Sequence, residues 1–458
     1  MTKILRYSLT LLFFAFIGNS FAYKNMIIPP DSTTNIVDKT TATYIIEEGK
    51  TMYGLGQIKG ALRKFRHAGV KDPNSWKAAY WIGKCHYKFN NFGYALTYIN
   101  SAMRMREDKV NDEIYFFLGS VNHRLGNLDN AIANYQKADS LFSKSRSKTL
   151  GIQHHINECN FAKAKMKKGK QFEKTPIGGE INSGFDDYQI LLAQDNKTIY
   201  FVSRRSNTTG GRMNPDDQYY FEDIYKSIYD DETKEWGTAT NQLGKLNSNG
   251  FDALNYISDD GLYAYLTVNS TATEVKKTTK GSDICEAKRS GKGTWSSPKP
   301  IKEINTSYFE GSATLTADGN TMYFVSDRKG EKRSTDIYVS YKNGKSWSSA
   351  IPLSDSINTP GRETTPSISP DGRFLFFSSD GHLGLGDLDV YVSENLGDTW
   401  STPVNLGYGI NSVNNDTHFS YSEELKKAFI SGFEIVEQKA SIDCYEIDMR
   451  NFKYPKAD

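Results

Sequence analysis

The segment SPDGRFLFFSSDGHLGLGDLDVYVSENLGDTW, residues 369–400, carries the pattern that repeats through the second half of the chain. Its apolar runs, separated by turn residues, predict two strands, a glycine-rich loop, a third strand and a hairpin. Triplets related to its central DVY occur five times, beginning at Asp223, Asp283, Asp336, Asp389 and Asp443. The intervals between them are 60, 53, 53 and 54 residues. A period this regular predicts an array of similar units.

Two other residue types recur in step with the triplet. Four of the five triplets are followed by a tryptophan, at Trp236, Trp295, Trp347 and Trp400. Each unit is preceded by an asparagine, at Asn182, Asn247, Asn305, Asn358 and Asn411. Four short β-segments per unit predict the blades of a β-propeller. The repeated Asp and Gly residues are explained first by turns, where Asp bonds its own backbone and Gly supplies positive φ.

The number of strands predicts how the propeller closes. Five units contain the first three strands, but only four are followed by the fourth strand, which contains the tryptophan. The segment FEKTPIGGEIN, residues 172–182, matches the end of that strand in other units, SSPKPIKEIN and SAIPLSDSIN. We therefore expect residues 172–178 to complete the last blade of a five-bladed propeller over residues 172–458, with six blades as the alternative.

The phrase SISPDGRFLFFSSD, followed by DLDVY, resembles the TolB-type WD40-like (PD40) repeat of bacterial envelope proteins. Two hairpins, SYKNGKSW (340–347) and SENLGDTW (393–400), resemble the Asp-box of sialidase-type propellers, which is a structural turn. A sialidase would also need clustered arginines, a Tyr nucleophile with a Glu partner, and an acid. The arginines instead fall irregularly along the chain, at Arg204, Arg205, Arg328, Arg362 and Arg373. Hydrolysis is therefore not the expected activity.

Residues 38–170 contain a different repeat. Glycines at positions 49, 83 and 119 are 34 and 36 residues apart, and each is followed after 12 residues by an alanine. A large residue and a second alanine complete each unit, at Phe65 and Ala68, Ile99 and Ala102, and Tyr135 and Ala138. Small and large side chains at these offsets let two antiparallel helices pack closely. The pattern resembles three tetratricopeptide repeats, and the segment IQHHINECNFAKAKM predicts a capping helix. The expected fold class is a tetratricopeptide α-solenoid followed by an all-β propeller.

The resemblance to tetratricopeptide repeats implies a concave groove lined by the first helix of each repeat. Basic and aromatic residues share the positions that would face it: Lys50, Tyr53, Lys77, Tyr80, Lys84, Tyr87, Lys88, Phe116, His123 and Arg124. A solvated lysine face is the alternative, but exposed rings mark interfaces more often than lysines do. We expect these ten residues to bind an extended acidic segment of a protein partner.

The N-terminus predicts export. Lys3 and Arg6 precede the apolar run LTLLFFAFIG and the small residues Ser20 and Ala22, which is the pattern of a signal peptide over residues 1–22. About ten apolar residues are too few for a membrane span, which needs roughly 20. Residues 23–37 predict a flexible leader. Export makes nucleic acid an unlikely partner, and it makes a periplasmic or outer-membrane-associated location, with the cell surface as the alternative, the expectation.

Charge divides sharply between the two domains. Residues 38–171 contain 23 Lys and Arg against 11 Asp and Glu, which gives a net charge of +12. Residues 172–458 contain 30 against 42, which gives −12. Such asymmetry favours charged partners and fast encounter. It also allows a simpler interpretation, in which the two domains attract each other.

Motif searches indicate neither enzyme nor cofactor. The Gly-x-Ser-x-Gly, HExxH, Walker and dinucleotide motifs are absent from the sequence. His154 and His155 are adjacent, so on a helix they point about 100° apart and make a poor metal pair. Asp387 and Asp389 could bind Ca²⁺, but a glycine-rich blade loop explains them more simply. The four cysteines, Cys85, Cys159, Cys285 and Cys444, fall in different units and are expected to be buried thiols.

This domain order resembles the periplasmic part of PorE-like envelope proteins associated with type IX secretion in Bacteroidota. The resemblance implies a non-enzymatic scaffold or adaptor that binds proteins of a secretion or outer-membrane assembly machine. PorE-like proteins continue into a peptidoglycan-binding domain, and since this sequence stops at Asp458, the resemblance carries no expectation of cell-wall anchoring. Two alternatives stay open: a glycan-binding or glycan-cleaving propeller, and a TolB-like partner of peptidoglycan-associated lipoprotein. Acids and rings that converge on the propeller channel would favour the first.

Overall fold

The computed structural model describes residues 34–105, 112–215, 217–269, 281–329, 334–432 and 441–454. The predicted signal peptide and most of the predicted leader lie outside these ranges. The remaining part of the chain folds into helices followed by strands, as the two repeats predict. Among the described helices, none combines the length and apolar character that a membrane span requires.

The helical array consists of three antiparallel pairs and two further helices. The pairs are α1 (Ile36–Gly54) with α2 (Ile58–Lys71), α3 (Trp76–Lys88) with α4 (Phe92–Arg104), and α5 (Asp112–Arg124) with α6 (Leu128–Leu141). The short α7 (Lys144–Thr149) leads to α8 (Ile152–Lys167). Helix α8 packs on α6 through Ile152, Ile156 and Cys159, so it covers the apolar end of the stack as predicted.

The repeated glycines allow the two helices of each pair to touch. Each glycine faces one large side chain of the second helix, in the pairs Gly49–Phe65, Gly83–Ile99 and Gly119–Tyr135. A methyl group at position 83 would lie 2.6 Å from Ile99 Cδ1, which is closer than carbon atoms approach each other. The large partners are fully buried. The repeat in the sequence is therefore a repeat of packing.

The propeller has five blades, as expected, of which four have four strands and blade three has five, because two short strands pair with its third strand. Blade one contains β2 (Asp187–Leu192), β3 (Thr198–Ser203), β4 (Asp223–Asp230) and β5 (Glu235–Trp236). Blade two contains β6 (Phe251–Ile257), β7 (Tyr263–Asn269), β8 (Asp283–Lys288) and β9 (Lys299–Pro300). Blade three contains β10 (Glu310–Leu315), β11 (Thr321–Ser326), β12 (Asp336–Asn343), β13 (Ser346–Trp347) and β14 (Ile351–Pro352). Blade four contains β15 (Glu363–Ile368), β16 (Phe374–Ser379), β17 (Asp389–Glu394) and β18 (Val404–Asn405).

The fifth blade joins the two ends of the domain. It contains β19 (Thr417–Ser422), β20 (Lys427–Gly432) and β21 (Asp443–Asp448), and its outer strand is β1 (Lys174–Pro176). Strands β1 and β21 are antiparallel, with Thr175 opposite Glu446. Lys174 also forms an ion pair with the fully buried Asp416 at the start of the blade. The strand that follows the helical array thus completes the ring.

The repeated asparagines hold neighbouring blades together. Asn247, which precedes blade two, accepts a hydrogen bond from the Ile224 N–H of blade one (2.8 Å) and donates to the Ile224 carbonyl (2.9 Å). The same two bonds recur in the pairs Asn305–Ile284, Asn358–Ile337, Asn411–Val390 and Asn182–Cys444. An asparagine is suited to this position because its amide both donates and accepts. The sequence motif is therefore a clamp between blades.

All four cysteines are buried and free, as the repeat spacing predicts. Burial raises the pKa of Cys85, Cys159 and Cys285 to about 12 in each case. Thiols held in this form are poor nucleophiles. They belong to the packing of the two domains.

Candidate functional site

The predicted groove places rings and cations side by side, most clearly around Lys84. Its ammonium group lies 4.5 Å from the centre of the Trp81 ring and 5.5 to 6.0 Å from the rings of Tyr80, Tyr53 and Phe117. Burial lowers the pKa of Lys84, and Glu113 opposes that change. Tyr80 is itself buried, with 4% of its surface exposed, so the prediction that it lines an open groove is corrected. Tyr80 supports Lys84 from within the core.

The other predicted residues of the first two repeats lie at the surface. Lys77 and Lys88 are exposed, while Lys50, Tyr53 and Tyr87 are half-buried. Lys50 forms an ion pair with Glu47 at 2.7 Å, and Tyr53 packs edge-on against Trp81. Cations and rings thus occur together on this side of the array. We call Lys50, Tyr53, Lys77, Lys84, Tyr87 and Lys88 the basic–aromatic surface.

His123 and Arg124 of the third repeat face the propeller, which corrects their predicted place in an open groove. His123 Nε2 donates to the Leu385 carbonyl at 2.7 Å. Arg124 pairs with Asp387 (2.8 Å) and donates to the Val413 carbonyl (2.9 Å). Burial lowers the pKa of His123 to about 4, with Arg124 adding to the effect, so its ring is neutral at neutral pH. These two side chains bind a segment of their own chain.

That segment is the loop between β16 and β17, residues 380–388, which we call the docking loop. Leu385 at its centre is fully buried in the apolar cluster of α6 and α8, beside Tyr135 and Ile156. Gly386 lets the docking loop pass close to the propeller segment before β19, since a Cβ there would lie 2.5 Å from the Val413 backbone. Phe116, another predicted groove residue, packs on Tyr135 behind the same contact. The third repeat therefore holds an acidic, glycine-rich segment of the propeller.

The docking loop is also braced from the propeller side. Arg362 pairs with Asp380 at 2.7 Å and with Asp387 at 3.3 Å, so Asp387 lies between Arg362 and Arg124. Burial alone would raise the pKa of Asp387, but the two arginines lower it and keep the carboxylate ionised. Asp389 accepts bonds from the Leu385 N–H and from Asn405. Asp387 is thus held by two arginines, while the Oδ1 atom of Asp389 is buried and has no hydrogen-bond partner among the described residues.

A small polar cavity of about 90 Å³ lies between the third repeat and the docking loop. His154 and His155 both contact the buried Glu158 at this cavity, at 3.2 and 2.8 Å. Burial alone would raise the pKa of Glu158, but hydrogen bonds from the two histidines lower it to about 2. Within the described residues, no three potential metal-binding side chains come together. We interpret the two histidines as partners of Glu158.

A second contact between the domains involves the first repeat. Lys59 at the start of α2 donates to the Gln218 carbonyl (2.6 Å) and lies 3.7 Å from the centre of the Tyr219 ring. Below it, Arg204 pairs with Asp217 at 2.8 Å. Burial raises the pKa of Glu222, with Arg204 opposing it. Acids and rings do converge at this end of blade one, but they are bonded to each other and to the helical array.

The innermost strands of the propeller share a bulge. Four residues at equivalent positions have positive φ: Gln189 (58°), Ser312 (51°), Thr365 (46°) and His418 (52°). Gln189 donates to Asn255 Oδ1 at 3.1 Å, and the His418 N–H donates to Thr365 Oγ1 at 3.2 Å, so these residues bond across neighbouring blades. Strained residues of this kind persist where the surroundings fix them. Here they connect the blades around the axis.

The contacts between the domains explain the charge asymmetry. The basic array presents Arg124 and Lys59 to the propeller, and the acidic propeller presents Asp387 and carbonyl oxygens in return. The simpler interpretation of the opposite net charges therefore applies to repeats one and three. Lysines of the basic–aromatic surface contribute to the same excess of positive charge. Sequence analysis did not identify Lys59 or Leu385, although a leucine between two glycines in an otherwise regular blade was a visible signal.

Solved structures resemble the two parts of the chain separately. The crystal structure of YrrB, described as a TPR protein with an unusual peptide-binding site, is 18% identical with a TM-score of 0.24, over 27% of this chain and 60% of that one. A glycoside hydrolase is 10% identical with a TM-score of 0.42, over 65% and 99%. The alpha-L-arabinofuranosidase PaAbf62A from Podospora anserina, in complex with cellotriose, is 12% identical with a TM-score of 0.37, over 61% and 96%. Likenesses of this size carry no argument about activity.

Comparison at the level of sequence gives no relatives. No protein-family model matches the chain, and no curated protein is similar enough to match. Function is therefore argued from the contacts described above.

Proposed function

We propose that this protein is a non-enzymatic scaffold of the bacterial cell envelope that binds protein partners through its helical array and the rim of its propeller. The proposed location is the periplasm, next to the outer membrane, as the signal-peptide pattern suggests. The proposed partners belong to a secretion or outer-membrane assembly machine similar to type IX secretion. Both statements extend the resemblance of this domain order to the periplasmic part of PorE-like proteins.

The observation that carries the proposal is the docking loop bound to the third repeat. There Arg124 pairs with a carboxylate, His123 binds a main-chain carbonyl, and an apolar pocket accepts Leu385. This is the chemistry needed to hold an extended acidic segment. Repeats one and two offer related groups on the basic–aromatic surface, where Lys84 and Lys88 lie beside Tyr53 and Tyr87. A partner segment would bind there, beside the loop that already occupies the third repeat.

Most of the affinity would come from the rings. An exposed ion pair contributes only about 0.2–1 kcal/mol. Buried aromatic contacts contribute more, and complementary charge mainly raises the association rate and fixes the register. Binding through this surface should therefore weaken with salt, but it should depend on Tyr87 at least as strongly as on any single lysine.

Affinity purification from native membranes, followed by mass spectrometry, tests the proposal. We expect the double variant Lys84→Glu/Lys88→Glu to lose most of the captured partners and the salt dependence of capture. Tyr87→Ala should reduce capture at least as much. Because Lys84 is packed among rings, Lys88→Glu alone provides a variant that cannot disturb that packing. Circular dichroism and melting temperature establish that each variant is folded.

The matched control is Lys137→Glu/Lys144→Glu, which makes the same charge change at exposed positions on α6 and α7. Wild-type capture by this control, together with loss in the groove variants, would support the proposal. Equal capture by all variants would move the binding surface elsewhere, most plausibly to the propeller rim. N-terminal sequencing of the mature protein tests the location: it should begin at Tyr23, and a retained Met1 would contradict export.

A further inference from the structure

The five junctions between blades are built alike. At each junction, an acid at the start of a blade's innermost strand donates its backbone N–H to a carbonyl of the preceding blade. That carbonyl belongs to the residue just before the aspartate of the DIY-type triplet. These bonds are Asp252 to Glu222, Glu310 to Ser282, Glu363 to Thr335, Asp416 to Leu388, and Asp187 to Ile442. Each junction therefore brings two carboxylates near each other. All five inner-strand acids are fully buried: Asp187, Asp252, Glu310, Glu363 and Asp416.

Four of these junctions contain a basic residue. Arg205 pairs with Asp187 at 3.3 Å, Arg328 with Glu310 at 3.2 Å, Lys329 with Asp336 at 2.6 Å, and Lys174 with Asp416. A buried carboxylate is expensive unless it is paired, so these cations offset the cost of burial. The remaining junction, between blades one and two, contains Asp223 and Asp252.

No Lys or Arg of the described residues forms an ion pair with Asp223 or Asp252. Both side chains are fully buried. Their Oδ2 atoms accept hydrogen bonds, from Thr209 and Asn241 to Asp223 and from Ser248 to Asp252. The Oδ1 atom of each is buried and has no hydrogen-bond partner. Two unpartnered oxygens that belong to adjacent carboxylates indicate a missing positive charge.

We propose that the Asp223–Asp252 junction binds a single proton near neutral pH, in the place that a basic side chain takes at the other four junctions. Two neighbouring carboxylates in an apolar setting cannot both ionise cheaply, so one of them keeps its proton. The remaining groups near Asp252 do not supply a positive charge: Glu222 is acidic, and Cys285 is a neutral thiol. Arg204 pairs with Asp217 and interacts with Glu222.

The direction of the pH effect follows from the raised pKa of Asp252. Burial, with Asp223 adding to it, raises the pKa of Asp252 to about 7. An unfolded aspartate has a pKa of about 3.9, so the folded protein binds the extra proton between these values. Its contribution to stability is complete below about pH 3.9 and is lost as the pH rises from there through about 7. At pH 8 the folded state holds an uncompensated buried charge.

Melting temperatures of the full-length mature protein and of Asp252→Asn test this proposal. The amide has the shape of the protonated acid, so the variant should melt about 2–4 °C above the wild type at pH 8. The difference should be smaller at pH 5.5 and should disappear only near pH 4, where the aspartate is protonated in the unfolded wild type as well. Because both proteins contain the same histidines, comparing the variant with the wild type at each pH cancels the effect of the histidines on the melting temperature. The matched control is Asp187→Asn, which should lower the melting temperature at both pH values because it leaves Arg205 unpaired.

Two results would overturn the proposal. If Asp252→Asn lowers the melting temperature at pH 8 as Asp187→Asn does, a counterion already neutralises the junction. If 1 mM Ca²⁺ raises the wild-type melting temperature at pH 8, EDTA reverses the change and Asp252→Asn abolishes it, the bound cation is a metal ion. A stabilised Asp252→Asn variant that is insensitive to Ca²⁺ and EDTA supports the proton.

Discussion

The helical array and the propeller both repeat one unit, but they repeat different kinds of residue. In the array, the recurring positions are small and large apolar residues such as Gly83 and Ile99. In the propeller, they are hydrogen-bonding residues such as Asn358 and Glu363. A helix satisfies its own backbone, so a helical repeat has to specify only how its surfaces fit. Blade edges leave backbone groups that another residue must satisfy, so the propeller repeats polar clamps.

The largest effect should follow the loss of a blade clamp. In Asn358→Ala the buried Ile337 N–H and the Leu353 carbonyl lose their partner, while the Ile337 carbonyl keeps its bond from the Leu353 N–H. Each unsatisfied buried group costs about 1–3 kcal/mol, so we expect destabilisation of about 2–6 kcal/mol in chemical unfolding. Asn320→Ala, at an exposed turn of blade three, is the control and should change little. Equal effects at the two positions would contradict the clamp.

A smaller effect should follow a change in the helical packing. In Gly83→Ala the added methyl group meets Ile99 at 2.6 Å, and overpacking of this kind costs about 1–3 kcal/mol. Gly93→Ala in the next helix is the control, because nothing lies within 4 Å of its added methyl group. Helix propensity alone should leave Gly93→Ala neutral or slightly stabilised. Thermal unfolding of the two variants distinguishes packing from propensity, which would affect both glycines alike.

The smallest effect concerns the contact between the two domains. The pKa of His123 is about 4 in the folded protein, against an ordinary value of 6.5. Its neutral form therefore contributes its full stabilisation of the contact between the third repeat and the docking loop above pH 6.5. That contribution is lost as the pH falls towards 4, and the loss amounts to roughly 1.4 kcal/mol at pH 5.5. His123→Gln keeps a donor for the Leu385 carbonyl without the charge, so its unfolding should depend less on pH than that of the wild type. Identical pH profiles for His123→Gln and the wild type would show that protonation of His123 does not affect the stability of the contact between the domains.

Both repeats and the five-bladed architecture could be predicted from the sequence because the same local packing or hydrogen-bonding requirement recurs in every unit. Gly119 faces Tyr135 for the reason that Gly49 faces Phe65, and one instance supports the others. Asn411 likewise repeats the bonds of Asn247. Repetition converts a weak local signal into a strong one.

The groove could be predicted only in part, because the contact between the third repeat and the docking loop occurs once and does not recur in the other repeats. Arg124 and Lys84 are both cations beside rings in the sequence, yet one meets a carboxylate and the other sits among aromatic side chains. Their difference depends on where the propeller lies relative to the array. That placement rests on Leu385 and Asp387 of blade four, which the sequences of the other blades do not repeat, and on the contact of Lys59 with blade one. A single long-range contact leaves little trace in a repeat pattern.

The closing strand β1 has a mechanical consequence. It is the first part of the propeller after α8, and it is held by pairing with β21 at the opposite end of the domain. A pull on the helical array would therefore reach the ring at its seam, where three residue pairs hold it shut. The docking loop gives that load a second route, through Leu385 and Arg124 into blade four. Tension between a partner on the array and a partner on the rim would be shared between two blades, and the seam would be relieved.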